Sequence, residues 1–195
     1  MARENKFLWL IVLAVVVVGI IMVGSWYVRT RNSLVAMEEQ VEAAWSEVDN
    51  QLQRRADLIP NLVNTVRGFA QQEEEIFTRL ADARARLAGS QGVQETAENY
   101  GELQSALSRL LVVVENYPQL RSNENFIRLQ DELAGTENRI AVARRRYNEA
   151  VQQFNTRIRS FPASMIADSA GFEQKEYFEV PDSAREVPEV DFGDE

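Results

Sequence analysis

The side chains best suited to chemistry gather in two clusters, and both fall in stretches with the hydrophobic spacing of helices. The first cluster surrounds Pro60 and consists of Asp49, Arg54, Arg55, Asp57 and Asn61. The second consists of Arg139, Arg144, Arg145, Arg146 and Asn148. On neighbouring helices, opposite charges favour an ion pair between Asp49 or Asp57 and one of the later arginines, which would fix helix register. A surface for a ligand or partner is the second interpretation. Catalysis would need a carboxylate with a raised pKa beside a nucleophile in a cleft, and no such set stands out.

A repeated pair of an aromatic and an amide follows the second cluster. Tyr147-Asn148 and Phe154-Asn155 lie seven residues apart, so they share one face of a helix. The pattern predicts two aromatic rings in a core and two amides at its edge, where buried amides need hydrogen-bond partners. A polar strip that recognises another helix is the alternative interpretation.

The chain contains no cysteine and no histidine. This composition excludes disulfides, thiolate chemistry, Cys/His zinc sites, Ser-His-Asp triads and the common haem ligand pairs. The acidic run QQEEE at residues 71–75 is interpreted as solvated surface, because helical spacing spreads its carboxylates around the axis. The sequence therefore predicts no catalytic residue, no cofactor and no metal site.

The formal net charge of −9 is concentrated near the C-terminus. Residues 168–195 hold ten acidic and two basic side chains, which leaves 20 acidic and 19 basic ones in residues 1–167. A nearly neutral body argues against nucleic acid as a partner, because phosphate binding needs a basic face. The acidic composition predicts a largely disordered tail that aids solubility. Within it, Tyr177 and Phe178 of the run KEYFEV are the residues suspected of docking.

The segment FLWLIVLAVVVVGIIMVGSWYV, residues 7–28, carries no charged side chain over 22 residues. At about 1.5 Å per residue it is roughly 33 Å long, enough to cross the hydrocarbon core of a bilayer. A cleaved signal peptide is the alternative, but its apolar core would be shorter. Trp26, Tyr27 and Arg29 form an ending that is typical of a retained transmembrane anchor.

The orientation of this span depends on a nearly equal charge balance. Arg3 and Lys6 precede it, Arg29 and Arg31 follow it, and the free amino terminus adds a positive charge on the N-terminal side. By the positive-inside rule this balance slightly favours a cytoplasmic N-terminus. The prediction is a single-pass protein of the cytoplasmic membrane with its helical domain on the exported side.

Beyond the span, the apolar spacing predicts four amphipathic helices. Pro60 lacks an amide hydrogen and favours a break near Ala56, with Asp57 as the N-cap of the second helix; a kinked continuous helix is the alternative. Phe69 is one of the residues that this second helix is predicted to turn inward.

Three further boundaries follow from turn and cap residues. The second helix is predicted to end in AGSQG at residues 88–92, the third at Tyr117-Pro118, and the fourth runs from an Asn123 cap to Ser160. Short connections between long helices predict an all-α fold with an antiparallel up-and-down four-helix bundle. The predicted organisation is a flank at 1–6, a transmembrane helix at 7–28, the bundle at 29–162 and the acidic tail at 163–195.

Three long strings resemble the LemA family: AAWSEVDNQLQRRADLIPNLVNTVRGFA at 43–70, LSRLLVVVENYPQLRSNENFIRLQDELAGTENRIAVARRRYNEAVQQFNTRIRSFP at 107–162, and GFEQKEYFE at 171–179. The resemblance implies a membrane-anchored, all-α bacterial protein, and it brings no catalytic residues and no cofactor. Family members often carry a histidine after GFA, where this chain reads QQEEE. That departure argues against a metal site built on the histidine.

Two functional hypotheses follow. The first is a non-enzymatic, membrane-anchored adaptor whose helical surface and acidic tail hold another membrane or envelope protein. The second is a self-associating structural component in which the long helices pack between copies. The size of the particle in solution would separate them.

Overall fold

The computed structural model of the chain describes residues 2–70 and 72–180, with side chains from Trp9 onward. All regular elements in this part are helices, which confirms the predicted all-α fold. They are α1 (Ala2–Arg67), α2 (Glu74–Gly89), α3 (Val93–Val114), α4 (Pro118–Arg121), α5 (Glu124–Arg159) and α6 (Ala163–Ala170). The up-and-down arrangement of four helices stays a prediction.

The break predicted at Pro60 is wrong, because α1 continues through this residue as one helix of 66 residues. A proline in a helix interior leaves the carbonyl four residues earlier without its amide donor. That carbonyl belongs to Ala56, and the Nε of Arg84 in α2 donates a hydrogen bond to it at 2.9 Å. A side chain from another helix thus satisfies the group that Pro60 orphans, and the helix remains continuous.

The chain instead breaks between Arg67 and Glu74, so the second predicted helix is shorter than expected. The amides of Phe69 and Ala70 both donate to the carbonyl of Val66, which closes α1 in a turn. Phe69, predicted to point inward, is 40% exposed because it lies in this turn.

The three other predicted helix ends are confirmed to within three residues, and α5 ends at Arg159, one residue before the predicted Ser160. α2 ends at Gly89, α3 ends at Val114, and Pro118 starts the short helix α4. Gly92 precedes α3 with a φ of +83°, a conformation that glycine adopts without strain. The Oδ1 of Asn123 accepts the amides of Asn125 and Phe126 at 3.0 and 3.2 Å, which makes it the predicted cap of α5.

The structure divides into two compact units. Of the described residues, those at 2–42 and 150–175 form the first, and those at 43–149 and 176–180 form the second. In the first unit, the buried side chains include Leu34, Val41, Val151, Phe154, Ile158 and Ile166. In the second, the fully buried ones include Val48, Ile59, Leu62, Leu80, Leu103, Leu110, Leu120 and Phe126.

The region after residue 162 differs from the predicted disordered tail. Ala163–Ala170 forms α6, and Gly171 ends it in the left-handed conformation, with a φ of +75°. The amide of Phe172 then donates to the carbonyl of Ala167 at 3.1 Å, which completes the helix end. Residues 172–180 have no regular secondary structure but make specific contacts, whereas residues 181–195 lie outside the described part.

The apolar N-terminal part of α1 is the one stretch among the described residues that is long and apolar enough to cross a membrane. Its mean hydropathy reaches 2.6, and none of that window is buried inside the protein. Residues 9–28 are all exposed to their surroundings. A fully exposed run of this composition is stable only if lipid or another apolar surface covers it.

Candidate interaction sites

A buried polar network centres on Arg55 of α1, in the second unit. Arg55 is 5% exposed, and its Nη1 donates to the carbonyl of Leu133 at 2.9 Å and to the Oγ1 of Thr136 at 3.3 Å. The same Nη1 lies 3.1 Å from the Oε2 of Glu137, while Nη2 donates to the Oε1 of Gln104 at 2.6 Å. The guanidinium therefore joins α1 to both α3 and α5.

The carboxylate of Glu137 collects further donors from α3. The Tyr100 hydroxyl donates to its Oε2 at 2.5 Å, and the Nε2 of Gln104 donates to the same oxygen at 2.7 Å. Tyr100 and Gln104 reach one carboxylate because residues four apart share a helix face. Burial, with the neighbouring Glu137 carboxylate second, raises the pKa of Tyr100, so this hydroxyl stays a donor across the physiological pH range.

One atom of the network has no partner. The Nε of Arg55 is buried and makes no hydrogen bond with any described residue. The other donors of Arg55, Tyr100 and Gln104 point at oxygens of neighbouring helices, and the Thr136 hydroxyl donates to the Leu133 carbonyl of its own helix at 2.8 Å. A network of this kind specifies one packing of α1, α3 and α5, because any other register would leave buried charge unpaired.

Asn148 holds the C-terminal segment of the second unit by its backbone. Its Nδ2 donates to the carbonyl of Phe178 at 3.1 Å, and its Oδ1 accepts the amide of Phe178 at 2.9 Å. The Phe178 ring is 1% exposed, with ring centroids 6.0 Å from Trp45 and 6.3 Å from Tyr100. The hydroxyl of Tyr147 donates to the carbonyl of Glu176 at 2.8 Å.

Asn155 repeats this pattern in the first unit. Its Nδ2 donates to the carbonyl of Lys175 at 2.8 Å, and its Oδ1 accepts the amide of Lys175 at 2.9 Å. The Nζ of Lys175 lies 2.7 Å from the Oε1 of Glu38 and 6.0 Å from the centroid of the Phe154 ring. Both amides singled out by the sequence thus bind the main chain of residues 175–178.

The ion pairs differ from those predicted. The Oδ2 of Asp49 accepts a hydrogen bond from the Nε2 of Gln53 at 2.8 Å, and the Oδ1 of Asp57 lies 3.9 Å from the Nη2 of Arg84. The Nε of Arg145 lies 3.8 Å from the Oε1 of Glu149 on its own helix. The cross-helix pairing expected of Asp49 or Asp57 with α5 is therefore made by Arg55 and Glu137 instead, with the charges reversed.

The remaining predicted residues are placed as follows. Arg54 and Asn61 are exposed on α1, and the Asn61 carbonyl accepts a hydrogen bond from the Thr65 hydroxyl. Arg144 is half-buried and close enough to lower the pKa of Tyr100, against the larger effect of burial. Tyr177, suspected of docking together with Phe178, is 41% exposed, so only Phe178 enters the aromatic cluster.

Sequence reasoning missed the partners of Arg55. In the sequence, Tyr100 falls on the apolar face of its helix, and Gln104 and Glu137 look like the many polar residues of α3 and α5. The available signal is the spacing of four between Tyr100 and Gln104, which puts an amide beside the apolar face of the helix.

An open groove of about 590 Å³ lies between α2 and α3. Small residues form part of it: Ala83, Gly101, Ser105 and Ala106. Charged residues also line it: Arg79, Arg86, Glu98, Glu102 and Arg109. Sequence reasoning did not identify this surface, because it depends on which residues of two helices face each other.

These features define a class, an all-α protein with a candidate N-terminal membrane helix and buried polar pairs that fix its packing. A sequence model of the LemA family matches residues 44–192, and the chain belongs to this family. The resemblance stated from the sequence is thereby confirmed.

Individual proteins with similar sequences include two kinds of relative, the magnetosome protein MamQ and a protein LemA. Magnetosome protein MamQ 1 of Paramagnetospirillum magneticum is 30% identical over 174 residues, which cover 76% of this chain and 64% of the relative. Magnetosome protein MamQ of Magnetospirillum gryphiswaldense is 26% identical over 194 residues, 86% of this chain and 71% of the relative. Protein LemA of Metamycoplasma hominis is 23% identical over 167 residues, which cover 85% of this chain and 74% of the relative. The chain thus spans less than two thirds of the length of MamQ 1.

Proposed function

We propose that this protein is a non-enzymatic, membrane-anchored adaptor that binds another membrane or envelope protein. The observation that carries the proposal is the groove between α2 and α3. The buried polar groups around Arg55 are engaged in holding helices together, whereas this groove presents charged and small side chains to the surroundings. It is a surface suited to recognition of a second protein.

The lining of the groove indicates what kind of partner it fits. The half-buried small residues Ser105 and Ala106 leave room for another helix to approach closely. Arg86 is paired with Glu102 at 3.0 Å, whereas Arg109 makes no ion pair with any described residue. The partner is therefore a helix that carries a carboxylate opposite Arg109.

A photo-crosslinking experiment on the full chain in its native membrane tests this proposal. A benzophenone amino acid at Ser105 lies in the groove, and one at Leu111, an exposed position of α3 outside the groove, is the matched control. We expect a discrete adduct from position 105 alone. The charge reversal Arg109→Glu should abolish it, because the partner carboxylate would then be repelled.

The mass of the adduct separates the adaptor from the alternative. An adduct of one 22.2 kDa chain with a different protein supports the adaptor. An adduct of two such chains would overturn it and support the self-associating structural component. Equal crosslinking from positions 105 and 111 would remove the groove as a binding surface.

The proposed location is the cytoplasmic membrane, crossed once, with the helical domain on the exported side. The apolar part of α1 supports membrane anchoring, and the slight excess of positive charge before the span supports the orientation.

A further inference from the structure

Two large apolar side chains are exposed in the first unit, close together in the chain. Phe161, just after α5, is 81% exposed, and Met165 in α6 is 64% exposed. Their neighbours Ala163, Ile166 and Ala167 are buried, so α6 has an inner face against the protein, and Met165 lies on its exposed side together with Asp168 and Ser169. A phenylalanine and a methionine that are both largely exposed gain free energy wherever an apolar surface covers them.

The contacts and burial within this unit place α6 on the side of it that is nearer the apolar span. Lys175 joins Glu38 of α1 to Phe154 of α5, so these two residues lie at one level. From Glu38 toward the span, the buried residues of α1 are Leu34 and Thr30, at 0% and 4% exposure. The buried apolar residues of this unit that follow Phe154 are Ile158, Ala163, Ile166 and Ala167. They are the side chains available to cover Leu34 and Thr30.

The distance from the span is short. Thr30 and Leu34 follow Val28, the last residue of the apolar segment, by two and six residues. At about 1.5 Å per residue these positions lie roughly 3 and 9 Å beyond the hydrocarbon core. The headgroup layer of a bilayer is about 5 to 7 Å thick on each side. The end of α5 and the start of α6 therefore reach the depth of the lipid headgroups.

We propose that Phe161 and Met165 insert into the interface of the same membrane that holds α1, as a second membrane contact of the chain. Exposed arginines lie nearby in the chain on both helices: Arg29 and Arg31 on α1 just after the span, and Arg157 and Arg159 at the end of α5. Guanidinium groups bind phosphate in a bidentate manner, so these four side chains contact lipid phosphates while the two apolar side chains enter the acyl boundary. The partner of this surface is a lipid bilayer.

Site-directed spin labelling tests the proposal, because the natural chain has no cysteine. The variants Phe161→Cys and Met165→Cys of the full chain are labelled with a nitroxide and reconstituted into vesicles of phosphatidylethanolamine and phosphatidylglycerol. The control is Val112→Cys, at an apolar position of α3 that is 60% exposed. All three positions are exposed, so the substitutions leave the core intact.

We expect the labels at 161 and 165 to collide more often with oxygen, which concentrates in lipid, than with a water-soluble nickel chelate. Their oxygen-to-nickel ratio should exceed that of the label at 112 several-fold. Adding Arg157→Gln and Arg159→Gln should lower the ratio at 161. A ratio equal to the control would overturn the proposal, and an immobile label shielded from both reagents would assign the surface to a protein contact instead. An unchanged ratio in the arginine variant would overturn the role of these phosphate contacts.

Discussion

Arg55 shows how one residue depends on its partners. A buried guanidinium is costly unless its charge is matched, and removal of one member of a buried pair typically costs about 3–5 kcal/mol. The side chain of Arg55 is 7% exposed and that of Glu137 is 39% exposed, so the lower end of this range applies. The pair is therefore sensitive to single substitutions and tolerant of a matched double substitution.

We expect Glu137→Leu to lower the free energy of unfolding by about 3 kcal/mol, because Arg55 would stay buried without its counter-charge. The double variant Arg55→Met with Glu137→Leu should lose less than Glu137→Leu alone, because no unpaired charge remains. Urea unfolding of the detergent-solubilised full chain, followed by circular dichroism, measures both. Additive losses in the double variant would contradict the coupling of the two residues.

The raised pKa of the Tyr147 hydroxyl predicts that the protein loses stability at alkaline pH. Burial, with the Glu176 carboxylate second, raises the pKa of Tyr147 to about 12, above the ordinary value of about 10. The folded state therefore keeps the phenolic proton at pH values where the unfolded state has lost it. The stabilisation that Tyr147 provides is complete below about pH 10 and is lost as the pH rises to about 12.

Unfolding experiments between pH 8 and 12 test this dependence on the wild-type chain and on Tyr147→Phe. The variant should be less stable at pH 8, because the hydrogen bond to the Glu176 carbonyl is missing, and its stability should fall less steeply above pH 10. Parallel curves for the two proteins would refute the assignment.

At the scale of an element, the continuity of α1 depends on a group outside it. Pro60 removes the amide that would satisfy the carbonyl of Ala56, and Arg84 replaces it. A buried carbonyl without a donor costs about 1–3 kcal/mol. Ala56 is 6% exposed, so water does not readily substitute for the guanidinium.

We predict that Arg84→Met lowers the free energy of unfolding by about 1–3 kcal/mol in the natural chain. In a Pro60→Ala background the same change should cost much less, because the amide of residue 60 then donates to Ala56 within α1. Thermal unfolding of the four proteins in this cycle measures the difference. An equal cost of Arg84→Met in both backgrounds would show that its ion pair with Asp57, and not the Ala56 carbonyl, is what matters.

At the scale of the whole molecule, the side of the membrane decides which partners are available. Residue 91 is exposed in the connection between α2 and α3, and the natural chain has no other cysteine to react. In intact cells, Gln91→Cys should be labelled by a maleimide that crosses an outer membrane but not the cytoplasmic membrane. Cells lysed before labelling provide the control for reactivity. Labelling only after lysis would place the helical domain in the cytoplasm and reverse the proposed orientation.

Several properties follow from the sequence alone, because they depend on local or compositional physics. Local features of the sequence predict the apolar helix at 7–28, the amphipathic helices, the Asn123 cap and the helix boundary at the glycines before α3. Each of these depends on residues that are close together in the chain. The lack of cysteine and histidine excludes whole classes of chemistry without any knowledge of the fold. The sequence pattern also predicts that the amides of Asn148 and Asn155 lie at the edge of a core and need hydrogen-bond partners.

The tertiary structure decided what depends on residues that are distant in the chain. Whether Pro60 breaks α1 was settled by Arg84, 24 residues later in the sequence and on another helix. The partner of Arg55 turned out to be Glu137, and the partners of the two amides turned out to be the backbone of residues 175 and 178. Local propensity ranks the conformations open to each segment, but an orphaned carbonyl, a buried charge or an amide is satisfied only by whichever group the packing brings to it.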